Sequence, residues 1–470
     1  MAIVAIDQGT TSTRALLVAD DGGARIVHSE KHRQILGADG RVEHDPEELI
    51  AHIQTCLAAA GKAEAIGIDN QGESCLAWDA MTGEAISPVI VWQDARTMAE
   101  IEKLKSAGAE TETLTRAGLP LDAYFSATKL RWLLDHVPAA GDLLKQRRLR
   151  LGTTDAFFLQ RLTGTCATDA TTASRTSLMN LATGEWDPVL CDLFGVPMET
   201  LPPIRPTIGE FGTIGGVPVT ASMVDQQAAL YGHGCRNTGD AKITFGTGAF
   251  ALALTGSEIL RRPDQGLLPT LAWQFGGERT YAVDGGVYNA GSAVDWLLKL
   301  GLVPDMAALN RFEGVPAIAR ELVFVPALSG LACPHWDRGA AGLWLGMGLE
   351  TTPADLARSV IEGIALRTAE VVATMAGNIT LDARISVDGG LTRNPYFLQF
   401  LADVTGRELV TRGFDELTAF GCAAFAGRAV GRDLELPPGA TTVVAPGQDS
   451  REYCERFADA VARAKSWRRV

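Results

Sequence analysis

Short apolar runs broken by glycine-bearing polar turns alternate along this chain with longer amphipathic stretches, and the first such pair opens it. Residues 2–6 and 14–18 are apolar runs of strand length on either side of DQGTTST (7–13), a pattern that predicts a hairpin with a polar turn. A third strand is expected at 25–29. A helix then starts with Asp45 as cap and Pro46 in its first turn, and a short buried strand follows at 65–69. Three strands, a helix and a strand are the start of a mixed sheet covered by helices. Strands at 76–78 and 89–92 and a helix at 98–108 continue the pattern.

The text changes near residue 217. A Pro/Gly-rich stretch (202–218) leads into a strand at 219–224, and AKITFGTGAFALAL (241–254) then repeats the opening: apolar strand, Gly-Thr turn, apolar strand. A repeat separated by about 240 residues predicts two copies of one architecture facing each other across a cleft. Residues 351–372 read as a long amphipathic helix with a Thr/Pro start signal, 385–390 as a strand ending in two glycines, and 394–405 as a helix. The basic ARAKSWRRV (462–470) is expected to be an exposed tail.

Bulk properties narrow the classes. At 470 residues the chain exceeds one typical core, and two large domains are expected, 1–235 and 236–470. Its 46% hydrophobic and 21% charged residues suit a globular chain rather than a disordered or membrane one. No apolar run approaches the roughly 18 residues needed to span a bilayer, and no secretory leader pattern opens the chain, so a cytoplasmic protein is expected. The net charge of −14 argues against a nucleic-acid or membrane partner, so an anionic ligand must be held by local donors. Eight scattered cysteines without a CxxC read as reduced, mostly buried thiols.

The first turn carries candidate chemistry. Asp7 ends its strand, Gly9 permits a tight turn, and Thr10, Thr11, Ser12 and Thr13 present hydroxyls and amides suited to anionic oxygens. Asp7 would then serve a magnesium ion, which takes oxygen ligands together with nucleotide phosphates. An ordinary hairpin with a Thr-rich turn has the same text.

GIDNQGESCLAWDAMTGEAISPVIVWQDART, YFSATKLRWLLDH, VDQQAALYGHG, KITFGTGAFALALTG and ISVDGGLTRNPYFLQFLADVTG follow that hairpin in order. Together they resemble the FGGY family of sugar and polyol kinases, most closely its glycerol kinase branch, from the first residues to about Gly431. The resemblance implies an α/β fold of two ribonuclease-H-like domains of the actin and hexokinase type, closing on ATP, magnesium and a small polyol or sugar, and it allows a homo-oligomer. The N-terminal domain would bind substrate and phosphate, the C-terminal domain nucleotide. It implies Asp225 as the base that takes the acceptor's proton; as an alternative, Asp225 caps a helix beginning at Gln226. Thr10, Thr11, Ser12, Arg14 and Thr247 would grip phosphates, and Gly291, Gly390 and Asn394 would receive the nucleotide, the last two near adenine.

On the acceptor side Glu73, Tyr124, Asp225 and Gln226 match polyol-binding positions, and Trp92 and Phe250 match the apolar wall. The branch's arginine before Glu73 is here Gly72, which removes five donors and leaves space, a change able to alter substrate identity. Asp295 replaces a glutamine on the nucleotide side, where a negative charge is unhelpful unless it points away or touches a metal. The activity expected is ATP-dependent phosphorylation of a terminal hydroxyl, with glycerol as leading acceptor. Another polyol or ketose (erythritol, xylitol, xylulose) is the alternative, and an inactive sugar-binding regulator a third reading.

Overall fold

The computed structural model describes residues 2–37, 40–437 and 439–468. Two large sheets dominate it. The first has six strands in the order Thr213–Ile214, Val217–Val224, Ala65–Asn70, Ile3–Gln8, Ser12–Val18 and Ala24–Lys31. The second has seven: Leu268–Phe275, Glu278–Val287, Ala249–Gly256, Ala241–Phe245, Arg384–Gly389, Glu408–Arg412 and Thr441–Val444. In each, an antiparallel hairpin is extended on one side by a third antiparallel strand and on the other by two parallel strands. The repeat read in the two hairpins therefore extends to a five-strand order common to both sheets.

Ile3–Gln8 is buried on both faces because helices cover both. On one face Val4 and Ile6 meet Leu49, Ile50 and Ile53 of helix Pro46–Ala60, which Asp45 caps by accepting from the Glu47 N–H. On the other, Ile3 and Ala5 meet Phe420 and Ala423 of helix Leu417–Ala429, contributed by the far end of the chain. That helix also crosses Asp225–Gly232 very closely: a Cβ on Gly421 would lie 1.9 Å from the Ala228 carbonyl oxygen, and one on Gly232 1.9 Å from that of Leu417. Only glycine allows backbones this near. The same apolar cluster takes in Leu252, Leu254 and Trp273 of the second sheet, so the two halves share one core at their junction.

Between Ala65–Asn70 and Val217–Val224 the chain builds most of a smaller five-stranded sheet, with helices including Ser126–His136 and Thr154–Thr163. Two expectations are corrected there and at the C terminus. The strand expected at 89–92 is only Val89–Ile90: the Asp94 N–H donates to the Val91 carbonyl and its carboxylate accepts from the Val42 N–H, so the chain turns through Trp92 and Gln93. The expected basic tail begins inside a helix, Glu452–Ala464, which buries Phe457, Ala460, Val461 and Ala464 at helical spacing; residues 469 and 470 lie outside the described ones. All eight cysteines are free thiols. Among the described residues no helix is long and apolar enough to cross a membrane.

Candidate active site

Three neighbouring strands of the first sheet run parallel and end together, the edge at which open α/β sheets hold ligands. Ile3–Gln8 and Ala65–Asn70 place Asp7 opposite Asp69, and Asp225 follows directly on Val217–Val224. Asp69 is fully buried, and among the described residues neither of its carboxylate oxygens has a hydrogen-bond partner. Burial, then the charges of Asp7 and Asp225, holds its pKa well above the ordinary carboxylate range. Burial likewise raises Asp7, against the opposing charge of Arg14. Asp225 is pushed up to about 7 by burial and by Asp7 and Glu73, while Lys242 opposes. Val224, not Asp225, holds the cap position of helix Asp225–Gly232.

Beside Asp225 one pocket gathers all seven residues read as acceptor-binding, Gly72, Glu73, Trp92, Tyr124, Asp225, Gln226 and Phe250, together with Thr10, Arg175 and Asp284. The backbone is shaped for it. Glu73 sits at φ 61°, a left-handed conformation costly for a non-glycine residue, and its carbonyl accepts from Ser126 Oγ at 2.9 Å. Trp92 meets Tyr124 and Phe250 edge to face at 5.5 and 6.5 Å, and its indole N–H donates to Thr10 Oγ1 at 3.0 Å. Buried Lys129 donates to the carbonyls of Trp92 (3.1 Å) and Tyr124 (2.8 Å), fixing both aromatic residues from behind.

A guanidinium does enter this pocket, from Arg175, a residue that no motif in the sequence singles out. Arg175, buried against the rings of Tyr124 and Phe125, donates from Nε to Glu73 Oε1 at 2.6 Å and from Nη2 to Asp284 Oδ2 at 3.1 Å. Its Nη1 and the other Asp284 oxygen have no hydrogen-bond partner among the described residues. A buried donor and acceptor left open beside one pocket are what a ligand hydroxyl satisfies.

The remaining candidates lie outside that pocket, several around the second hairpin's turn. The Gly291 N–H donates to the Gly246 carbonyl at 3.0 Å, and a Cβ there would stand 2.5 Å from that oxygen. The N–H groups of Ala290 and Ser292 donate to the Thr247 carbonyl, so helix Gly291–Lys299 begins against the turn. Gly389, at φ 95°, passes so near Phe245 that a Cβ would lie 2.2 Å from its carbonyl, whereas a Cβ on Gly390 would meet nothing within 4 Å. Asn394 caps helix Pro395–Thr405, accepting from the Phe397 N–H and donating to the Leu309 carbonyl, so both ends of its amide are occupied. Asp295 is exposed and does not line the pocket. In the first hairpin the Thr11 carbonyl accepts from the His32 N–H and the Ser12 carbonyl from Gly9, while Arg14 donates to Glu416 at 2.9 Å, tying the hairpin to the start of helix Leu417–Ala429. Lys242, fully buried, reaches Gln226 Oε1 at 2.6 Å and Thr244 Oγ1 at 3.0 Å, linking the two halves beside Asp225.

Compared with known proteins, residues 2–232 match the N-terminal domain of the FGGY family of carbohydrate kinases, and residues 241–430 its C-terminal domain. The chain belongs to that family. This FGGY kinase is 39% identical to a glycerol kinase of Alkalilimnicola ehrlichii over 100% of this chain and 99% of the relative. It is 41% identical to a glycerol kinase of Methylobacterium nodulans over 91% of this chain and 89% of that relative. Among solved structures it resembles Plasmodium falciparum glycerol kinase with ADP at a TM-score of 0.90 and 29% identity, covering 98% of each chain. A xylulose kinase from Lactobacillus acidophilus has a TM-score of 0.87 over 99% of each chain at 22% identity, a likeness of fold alone. The two ribonuclease-H-like α/β halves and the carbohydrate kinase class expected from the sequence are thereby established.

Proposed function

We propose that this FGGY kinase transfers the γ-phosphoryl group of ATP to a terminal hydroxyl of a small polyol, glycerol first, giving glycerol 3-phosphate. The observation that carries the reading is one pocket holding a carboxylate with a pKa near 7, an unpaired guanidinium N–H and an unpaired carboxylate oxygen. The glycerol kinase relatives, and the ADP in the Plasmodium falciparum structure, support the choice of acceptor and nucleotide.

In this reading Arg175 and Asp284 hold the non-reacting hydroxyls, Glu73 orients Arg175, and Trp92 and Phe250 line the carbon chain. Asp225 accepts the proton of the terminal hydroxyl as its oxygen attacks the γ-phosphorus and the bond to the β-phosphate oxygen breaks; a base with a pKa near the working pH suits that transfer. The hydroxyls of Thr10, Thr11 and Ser12 and the turn at Thr247 receive phosphates from the two halves, and the open face at Gly390 with the Gly291 turn receives the nucleoside. Asp295 is left without a role in that assignment, since it is exposed and does not line the pocket. Residues 1–235 then serve acceptor and phosphates and 236–470 mainly the nucleotide, with Phe250 and Asp284 of the second half completing the acceptor pocket and Thr247 reaching the phosphates.

Magnesium fits the carboxylates present: Asp69 has two buried oxygens without a partner beside Asp7, in a cluster whose members raise one another's pKa. Asp7, with Asp69 behind it, would hold the ion. When bound, such an ion neutralises charge on the β- and γ-phosphate oxygens.

Gly72 favours one second reading, a longer polyol or a ketose, because the pocket loses a side chain there while Arg175 supplies a guanidinium from elsewhere. A coupled ADP-release screen over glycerol, tetritols, pentitols and ketoses tests both. Highest kcat/KM for glycerol supports the first reading, and preference for a five-carbon acceptor replaces it with the second. No turnover with any of them overturns the kinase assignment in favour of a sugar-binding regulator.

A further inference from the structure

A second cluster of ligating groups lies outside the active site, on the far side of the first hairpin. Glu48 and His52 stand one helical turn apart in Pro46–Ala60, so their side chains share a face. His32, just beyond strand Ala24–Lys31, faces them. One ligand atom from each of the three lies within 4.8 Å of the other two, and all three residues are partly exposed. The Nδ1 atoms of His32 and His52 are 3.1 Å apart, with the rings stacked at a centroid distance of 5.3 Å. Two nitrogens bound at about 2.0–2.1 Å in a tetrahedral shell stand about 3.3 Å apart, so this separation suits two imidazoles on one ion.

The surroundings also fit. A histidine bound through one ring nitrogen usually donates from the other, which fixes its tautomer. His32 Nε2 is 3.1 Å from Thr13 Oγ1, while Gln8 Nε2, at 3.4 Å, already donates to the Gly9 carbonyl. Glu48 is oriented by the Arg33 N–H at 2.8 Å and faces the largely exposed Arg33 guanidinium at 3.3 Å, a partner able to swing into solvent. His44 supplies an independent sign: it is buried, its ring lies 5.7 Å from that of His32, and its Nε2 has no hydrogen-bond partner among the described residues. Its Nδ1 is 3.3 Å from Gln71 Nε2, next to Gly72 of the acceptor pocket.

We propose that His32, His52 and Glu48 form a binding site for a borderline divalent metal of the zinc class, separate from any magnesium at the phosphates. Two imidazoles and one carboxylate match that class, whereas magnesium prefers an all-oxygen shell. Through His32 the site touches Gln8 and Thr13 of the phosphate-side hairpin, and through His44 it neighbours Gln71.

Cobalt(II), a spectroscopic substitute for zinc, tests this on the full-length protein, followed by competition with zinc. The expected result is one ion per chain with visible d–d bands and no thiolate charge-transfer band. Affinity should fall at least about tenfold in both His52→Ala and Glu48→Gln, since losing even an outer-shell partner commonly costs that much. His52 is a partly exposed helix residue, so alanine keeps the helix, and circular dichroism checks that it does. Unchanged cobalt affinity in both variants, a thiolate band, or no binding at micromolar metal would overturn the proposal.

Discussion

Asp69 and Asp388 occupy equivalent places in the two halves: each is the penultimate residue of the parallel strand beside the hairpin, Ala65–Asn70 in one sheet and Arg384–Gly389 in the other. Their surroundings are opposite. Asp69 sits among carboxylates with no hydrogen-bond partner of its own among the described residues, and its pKa rises well above the ordinary value. Burial would raise Asp388 as well, but His233, whose Nε2 is 3.2 Å away, and then Lys242 hold it below the ordinary value. One repeated topology thus presents a cluster of mutually repelling carboxyl groups at one strand end and a carboxylate paired with basic groups at the other. In the proposed reaction Asp7, paired in register with Asp69, holds the divalent ion, and Asp225, at the end of the next strand, takes the proton.

The strongest way to break that contrast is Asp225→Asn, expected to lower kcat by about 10² to 10⁴ while nucleotide affinity stays close to that of the parent. Steady-state rates measured beside nucleotide titration check it, and near-normal turnover would remove Asp225 from the chemistry. Next comes Arg175→Lys, which keeps the charge but loses the fork between Glu73 and Asp284. A fall in kcat/KM for the polyol of about 10- to 100-fold is expected, the equivalent of one charged hydrogen bond. Under the same logic Gly72→Arg brings no gain for glycerol, because the donors are already present; a clear gain would show that Arg175 does not supply them.

The equivalent aspartates should answer with opposite signs. Asp388→Asn leaves the buried Lys242 short of a counter-charge and should destabilise the fold by about 1–3 kcal/mol. Asp69→Asn relieves a buried like-charge cluster, so it should raise the melting temperature while increasing the magnesium concentration needed for half-maximal rate. Thermal denaturation of the two variants side by side decides this, and shifts of the same sign would end the comparison.

The pH response ties the contrast to a single group. With Asp225 at about 7, kcat/KM should rise roughly tenfold between about pH 6 and about pH 8 as the base loses its proton. Stability should move the other way. A carboxyl whose folded pKa lies above its unfolded value of 3.8 contributes stability that is complete at low pH and is lost as pH rises through about 7. Abolition of both trends in Asp225→Asn would assign them to this group, and their persistence would assign them elsewhere.

Local pattern made much of this legible. Both hairpins, the Asp45-capped helix and the strand-to-helix step at Asp225 are written in adjacent residues, because hydrophobic periodicity and caps act over a few positions. The motif text likewise pointed to seven residues that the fold gathers into one pocket. The sequence could not indicate that helix Leu417–Ala429 lies on the first sheet, or that the last basic segment starts inside an amphipathic helix.

Arg175 marks the limit most sharply. Its partners Glu73 and Asp284 are 102 and 109 positions away in opposite directions, so no window of sequence contains the ion-pair triad. Sequence by itself determined which elements form and which residue types the acceptor pocket has available. Tertiary structure alone decided which charges are compensated, because a pKa, an orphaned donor or a neutralised carboxylate depends on what lies within a few ångströms, and in a two-half fold those neighbours come from the far ends of the chain.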